Sequence, residues 1–227
     1  MQHGMRLFRL LTATAFQYFR VYCWGIVILF ISMQVTGCAP MTIPAYKADA
    51  FNTYKNQMAK NDLHIAVLPM TDKEEQKKYF GTVLSDVDVL AVFVIAENRS
   101  TSQRYLLRDD LISLQNKTTK ETFPKPLKTN IADDSDLEGA RRVSEFLGSI
   151  AVSLALAKNS VDTKAIQDNM FDKTLYTRTV LPGKTVEGFA FFKLSDKKMN
   201  LNDLLLRVET SEDGAQLTHS FEFVLGQ

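Results

Sequence analysis

The alternation of apolar and polar residues along the chain predicts a fold built mainly from β-strands. From Leu63 the apolar positions recur at every second residue, through Ile65 and Val67, which is the period of a half-buried strand. Residues 87–96 are apolar at almost every position, as expected for a central strand that is covered on both faces. The same criteria predict five further strands, at residues 105–114, 175–181, 185–194, 204–209 and 217–225.

Turn-forming residues separate these strand segments. Asn98 opens a polar run that ends at Ser102, Pro182 and Gly183 join two of the strands, and Gly214 lies in the connection between the last two. These residue types favour tight turns because Gly accepts positive φ angles, Pro fixes φ and Asn hydrogen-bonds to nearby backbone. About seven short strands at this spacing predict an antiparallel β-sandwich.

One part of the chain, at about residues 125–174, departs from the strand period. Between residues 136 and 158 the apolar residues recur at helical spacing, and Ser135 with Glu138 fits a capping box at the start of that helix. Residues 161–171 predict a second helix, antiparallel to the first. The sequence therefore predicts an α-helical hairpin inserted between two strands.

The stretch at residues 146–157 is apolar around most of the first predicted helix. A helix of this kind needs cover on more than one side, and it is too short to span a bilayer. It is either buried between the sandwich and the second helix or exposed as a surface for a protein partner or the membrane. Both alternatives stay open at this point.

Residues 39–60, ahead of the first clear strand, have a weak pattern. Phe51, Tyr54 and Met58 occur at roughly helical spacing, which predicts a tether ending in a short helix that packs on the domain. An added edge strand is the alternative, and the sequence does not decide between them.

The first 37 residues have the order of an export signal. They contain Arg6, Arg9 and Arg20, no acidic residue, and then an apolar run at residues 21–33. That run is 13 residues long, whereas a membrane-spanning helix needs about 20.

The sequence Val35-Thr36-Gly37-Cys38, which follows the apolar run, resembles the lipobox of bacterial lipoproteins. In that family the cysteine thiol takes a diacylglyceryl group and a peptidase cuts before the cysteine. The resemblance implies lipidation at Cys38, a signal peptide at residues 1–37, a lipid-anchored tether at 38–61 and the sandwich domain at 62–227. An ordinary cysteine after a secretory signal and an uncleaved anchor are the alternatives.

The resemblance also implies an address in the bacterial cell envelope. Ala39, and not Asp, follows the cysteine, and Asp at this position is the usual signal for retention in the inner membrane of enteric-type bacteria. We therefore expect a protein anchored in the outer membrane through acyl chains on Cys38 and facing the periplasm.

Composition excludes some partners for the mature chain. Removing 37 residues and their three arginines from the 227-residue chain leaves 190 residues with 24 basic and 26 acidic side chains. Without a basic excess, a nucleic-acid partner is not expected. Cys23, the other cysteine, lies in the signal, so no internal disulfide is expected in the mature chain.

Three groups of residues are of types that could form a metal or acid-base site. Asp134, Asp136, Glu138 and Glu145 match the outline of a calcium-binding EF-hand loop, but prolines precede them where a helix should enter, so a capped helix start is preferred.

His64 and His219 are far apart in sequence and have no cysteine to join them, which argues against a transition-metal site. His219 is in phase with the apolar residues of its strand, and we expect it at the border of the core, hydrogen-bonded to backbone. Asp109 and Asp110 are neighbours that point to opposite faces of a strand, and they are interpreted as a solvated pair at a bend. The sequence predicts no catalytic, cofactor-binding or metal-ligating residue and no cofactor.

Two runs, residues 91–98 and 181–192, resemble the immunoglobulin-like domains of many uncharacterised bacterial surface lipoproteins. In the first a central strand ends in Asn, and in the second a Pro-Gly turn leads into a strand of Gly and aromatic residues. The resemblance implies an immunoglobulin-like antiparallel β-sandwich, here with an inserted α-helical hairpin, and it implies no activity. We expect a non-catalytic binding or envelope-assembly module, not an enzyme. A subunit stable only within a larger envelope complex and an enzyme on the same scaffold are the alternatives.

Overall fold

The computed structural model describes residues 43–123, 163–195, 199–212 and 218–226. They belong to one compact unit of the chain. The strands in this part are β1 Gln57–Lys60, β2 Leu63–Met70, β3 Val89–Asn98, β4 Tyr105–Asn116, β5 Arg178–Val180, β6 Thr185–Lys193, β7 Leu204–Glu212 and β8 Thr218–Val224. The α-helices in this part are α1 Lys73–Phe80 and α2 Thr163–Lys173.

The strands form two antiparallel four-stranded sheets. Sheet 1 has the order β1-β2-β3-β6, and sheet 2 has the order β5-β4-β7-β8. Buried side chains from both sheets form one apolar cluster between them, which includes Leu63, Val92, Leu114, Leu206 and Phe223. The prediction of a mainly β, antiparallel sandwich is confirmed at this level.

Strand β3 is apolar on both faces because sheet 1 is covered on both sides. Val92 and Val94 point into the sandwich, whereas Phe93 and Ile95 belong to a second apolar cluster on the outer face of sheet 1. Four described elements cover that outer face: residues 43–54, α1, the 3-10 turn Leu84–Val87 and α2. We call residues 43–54 the N-terminal segment.

Helix α1 was not predicted from the sequence. Its residues are mostly charged, and only Gln76 and Phe80 are buried. The Asp72 side chain caps the helix start by accepting from the Glu75 N–H at 2.8 Å, and the helix ends at Gly81 with φ 73°. Because only two of its side chains are buried, the apolar pattern of this helix is too sparse to be recognised in the sequence.

Helix α2 overlaps the second helix predicted for the insertion, residues 161–171. It lies between β4 and β5 and packs Ile166 and Met170 onto the outer face of sheet 1. The first predicted helix, residues 136–158, lies outside the described residues.

The stretch before residue 62 forms both a short 3-10 turn, Phe51–Thr53, and the edge strand β1. Strand β1 pairs with β2 in the register Met58↔Ile65. The edge strand, which was the alternative to a short helix in the sequence prediction, is therefore present. Sheet 1 begins a few residues before the predicted domain boundary.

The predicted strand at 175–181 is shorter in the structure because the chain changes sheets there. The Leu175 N–H donates to the Phe189 carbonyl of sheet 1 at 2.9 Å, whereas β5 pairs with β4 of sheet 2.

Asn98 fixes the connection between β3 and β4. Its buried side-chain amide donates to the carbonyls of Gln103, at 2.7 Å, and Val180, at 2.9 Å. Its Oδ1 accepts from the Ser100 N–H at 2.9 Å. One side chain at the end of a sheet 1 strand thus holds the loop to β5 of sheet 2.

Candidate functional site

A pocket of about 330 Å³ lies on the outer face of sheet 1, beside the last turn of α2. Its volume is at the lower end of the range for small-molecule sites, about 300–1,000 Å³. Phe93 of β3 and Phe189 of β6 are among its lining residues. They are register partners across the two strands, with ring centroids 5.1 Å apart. The pocket therefore has an aromatic floor on a rigid sheet.

The N-terminal segment forms one wall of the pocket through Ile43, Ala45 and Tyr46. The Tyr46 ring lies 4.7 Å from that of Phe93 and 5.0 Å from that of Phe189, measured between centroids. Burial raises the pKa of Tyr46 well above its usual range, with smaller contributions from neighbouring tyrosines and carboxylates. These contacts dock the segment on the sheet.

The last turn of α2 forms the opposite wall. The Lys173 ammonium donates to the Tyr79 carbonyl at 2.6 Å and also to the Asn169 side-chain oxygen. Tyr79 lies in the last turn of α1, where carbonyls lack partners within the helix and favour a cation. Burial lowers the pKa of Lys173, and nearby Asp172 opposes that shift. The lysine thus joins the two helices beside the pocket.

Gly188 allows this wall to approach the sheet. A Cβ at Gly188 would lie 2.7 Å from the Leu175 Cα and 2.9 Å from its backbone nitrogen, which is closer than real Cβ contacts. The crossing chain at Leu175 therefore requires glycine at this position of β6.

Glu187 and Arg178 supply opposite charges to the pocket lining. Partial desolvation raises the pKa of the Glu187 carboxyl. Among the described residues Glu187 has neither a hydrogen-bond partner nor an ion-pair partner. Arg178 lies over the Tyr176 ring at 5.9 Å, and no carboxylate of the described ranges forms an ion pair with it. These two groups are available to a ligand.

None of these residues was predicted from the sequence to form a site. The available signal was Gly188, because a glycine inside a strand often marks the close approach of another backbone. That approach holds the chain that leads from α2 to Arg178 against β6.

Cys38, the predicted lipidation site, lies outside the described residues. The same holds for the calcium-loop outline at residues 134–145.

Asp109 is buried, so its prediction as part of a solvated pair at a bend is wrong. It is 1% exposed and accepts a hydrogen bond from the Thr177 hydroxyl. Asp110 is half-buried and pairs with Arg108 at 2.7 Å. The two residues lie where the register of β4 shifts between Leu107 and Ile112, and this irregularity turns Asp109 inward.

The two histidines lie in different surroundings. His219 is half-buried at the edge of the core, as predicted, but its Nε2 lies 3.1 Å from the Glu212 carboxylate and not against backbone. His64 packs edge-on against Phe51, and burial together with Arg99 lowers its pKa. Within the described ranges, no group of three or more His, Cys, Asp or Glu residues is placed to hold a metal ion.

In the described part of the chain, no helix has the length and apolar character needed to cross a membrane. Comparison of the chain with protein-family models, with curated proteins and with solved structures finds no match.

Proposed function

We propose that this chain is a bacterial lipoprotein, anchored by acyl chains on Cys38, whose sandwich acts as a non-catalytic binding or envelope-assembly module. One observation carries the anchor. A cysteine preceded by two small residues lies five positions after the end of a 13-residue apolar run, which itself follows three arginines. The apolar run is too short for a stable membrane-spanning helix, so a covalent lipid at Cys38 supplies the attachment.

We also propose that the sandwich is immunoglobulin-like. Strand connectivity supports this proposal, because the chain passes from β3 in sheet 1 to β4 in sheet 2, and again from β6 to β7. The central pairs β3·β6 and β4·β7 then correspond to the B·E and C·F pairs of immunoglobulin domains. Strand β1 and helix α2 are additions to that pattern.

The binding role rests on the pocket. It combines an aromatic floor with convergent polar groups, which is the usual character of a ligand site. A protein partner recognised through the insertion at residues 125–174 is part of the same proposal, and so is an outer-membrane location facing the periplasm.

The lipid anchor is tested by Cys38→Ser in a bacterial host fed a labelled fatty acid, with Cys23→Ser as the matched control. The Cys38 variant should lose the label and accumulate as precursor, because serine offers no thiol to acylate. The Cys23 variant should be labelled and processed like the wild type. Processing and membrane retention of Cys38→Ser at wild-type levels would contradict the proposal.

The location is tested by Ala39→Asp in an enteric-type host. The wild-type chain should fractionate with the outer membrane, and the Asp variant should move to the inner membrane. A wild-type chain found wholly in the inner membrane would exclude the proposed address while leaving the lipid anchor intact.

A further inference from the structure

We propose that the pocket beside α2 binds a small zwitterion, an amino acid or dipeptide with a free ammonium group, a free carboxylate and an apolar side chain. The inference deepens the proposed binding role, and it does not depend on the lipid anchor. In this arrangement the ammonium group pairs with Glu187, the carboxylate pairs with Arg178, and the side chain lies against the Tyr46 ring.

Charge balance in the lining favours a zwitterion over a simple ion. Lys173 and Arg178 contribute two positive charges, and Asp172 and Glu187 contribute two negative charges. A phosphate would meet two carboxylates, and a metal cation would meet an ammonium and a guanidinium. A ligand that carries both charges meets an opposite charge at each end.

The four charges are not equally available. Lys173 already donates to the Tyr79 carbonyl and to Asn169, and its neighbour Asp172 interacts with it electrostatically. Glu187 and Arg178 have no ion-pair partner in the described part of the chain. Both are exposed side chains, so Glu187 can accept an incoming ammonium group without breaking an existing contact. The planar guanidinium of Arg178 suits a carboxylate because it can donate two parallel hydrogen bonds.

Aromatic rings supply the third part of the site. Tyr46, Phe93 and Phe189 lie within 5.1 Å of one another, measured between centroids. Of these rings Phe93 and Phe189 are at most 2% exposed, so Tyr46, which is partly exposed, presents the aromatic surface that an apolar side chain can contact. The pocket volume of about 330 Å³ is suited to a molecule of amino-acid or dipeptide size and not to a long polymer.

Titration calorimetry on the full chain, purified in detergent, tests the proposal with L-leucine and L-leucyl-L-leucine as probes. At least one probe should bind saturably. Its N-acetylated form and its carboxyl-amidated form should each bind at least about tenfold more weakly, because each lacks one charge-assisted contact. Equal affinity for free and blocked forms, or no saturable binding of either probe at millimolar concentration, would overturn the proposal.

Two conservative variants assign the charges. Glu187→Gln should weaken the free probe at least about tenfold and should no longer distinguish it from the acetylated form. Arg178→Gln should weaken the free probe to a similar extent and should no longer distinguish it from the amidated form. Glu209→Gln, a matched change on the outer face of sheet 2, should bind like the wild type.

Thermal midpoints of these variants separate binding from folding. Both pocket variants should retain the wild-type midpoint, because each side chain has no ion-pair partner to lose. If either variant weakens free and blocked probes equally, that residue does not contact the charged group and the assignment is wrong. If the chain binds a probe but is not labelled with lipid, the pocket proposal holds and the anchor proposal fails. If it is labelled but binds neither probe, the anchor proposal holds and the pocket proposal fails.

Discussion

The outer faces of the two sheets differ in what covers them. On sheet 1 the outer face carries Phe93, Phe189 and Phe191 and is packed beneath two helices and the N-terminal segment. On sheet 2 the outer face carries ion pairs such as Arg207 with Glu222, at 2.6 Å, and no described helix covers it. The burial of the strands follows the same difference, because β3 and β6 bury successive residues whereas fully buried and less buried residues alternate in β7 from Leu204 to Ser211. Loss of alternation therefore marks the sheet that acquires a further layer.

The largest expected effect is on the covered face. Phe80→Ala removes a fully buried ring from α1, which lies 5.0 Å from Phe189 and 5.7 Å from Phe191 between centroids. We expect a loss of about 3–5 kcal/mol and a fall of about 10 °C in the thermal midpoint of the full chain.

Arg207→Ala is the matched change on the open face. It removes one partner of an exposed ion pair, and it should change the free energy of unfolding by less than about 1 kcal/mol. Equal midpoints for the Phe80 and Arg207 variants would mean that the helical layer contributes nothing to the core, and the contrast between the faces would fail.

Asn98→Ala should have the next largest effect, because the two sheets are joined through this side chain. Its removal leaves the buried carbonyl of Val180 without its donor, at a cost of about 2–4 kcal/mol for the lost hydrogen bonds together. Asn116→Ala is the control, since the side-chain oxygen of Asn116 accepts from the Thr118 and Thr119 N–H groups within a single exposed turn. It should cost about 1 kcal/mol, and urea unfolding monitored by circular dichroism measures both. If the two variants are equally stable, Asn98 does not join the sheets.

Alkaline pH should destabilise the fold through tyrosines that lie beside the covered face. Burial raises the pKa of Tyr176 to about 12, with a smaller contribution from Asp172, and burial also raises the pKa of Tyr46. In the unfolded chain these hydroxyls titrate near about pH 10. Above that pH the unfolded state loses protons that the folded state keeps, so stability falls as pH rises from about 10 to 12.

Tyr46→Phe with Tyr176→Phe removes both groups and should flatten the fall. The measurement is the thermal midpoint against pH. A double variant with the wild-type slope would show that these two hydroxyls do not carry the alkaline loss.

The smallest expected effect is a gain. Thr210 is fully buried on the inner face of sheet 2, and its hydroxyl has no hydrogen-bond partner among the described residues. Thr210→Val replaces that hydroxyl with a methyl group of similar shape, which should stabilise the fold by about 1 kcal/mol and raise the midpoint by about 3 °C. Thr179→Val makes the same change at an exposed position of β5 and should leave the midpoint unchanged. A lower midpoint for Thr210→Val would indicate an unrecognised partner for the hydroxyl.

The sequence predicts the strands well where they are long and well patterned. Strands β3, β4, β6, β7 and β8 lie within a few residues of their predicted positions, because alternation and turn residues are local signals. The apolar run at 87–96 also predicts that β3 is covered on both sides, which the structure confirms. It does not say what provides the cover.

The parts that could not be predicted depend on contacts between distant residues. Helix α1 presents one buried ring, Phe80, and so carries almost no periodic signal. The burial of Asp109 arises from an irregular register and from Thr177, which lies far along the chain. The pocket requires the N-terminal segment, α2 and β6 to meet, and only Gly188 hints locally at that meeting.

Docking of the N-terminal segment would limit how far the sandwich extends from the membrane under the proposed anchor. If Cys38 carries the acyl chains, five peptide units separate it from Ile43, and they span at most about 18 Å. The aromatic pocket would then lie close to the lipid headgroups, because a short connection would hold the domain near the membrane surface. A molecule that is released from the bilayer, or is produced by cleavage at its surface, would reach the pocket at a raised local concentration. A partner deep in the periplasm would have to extend to the membrane to reach it.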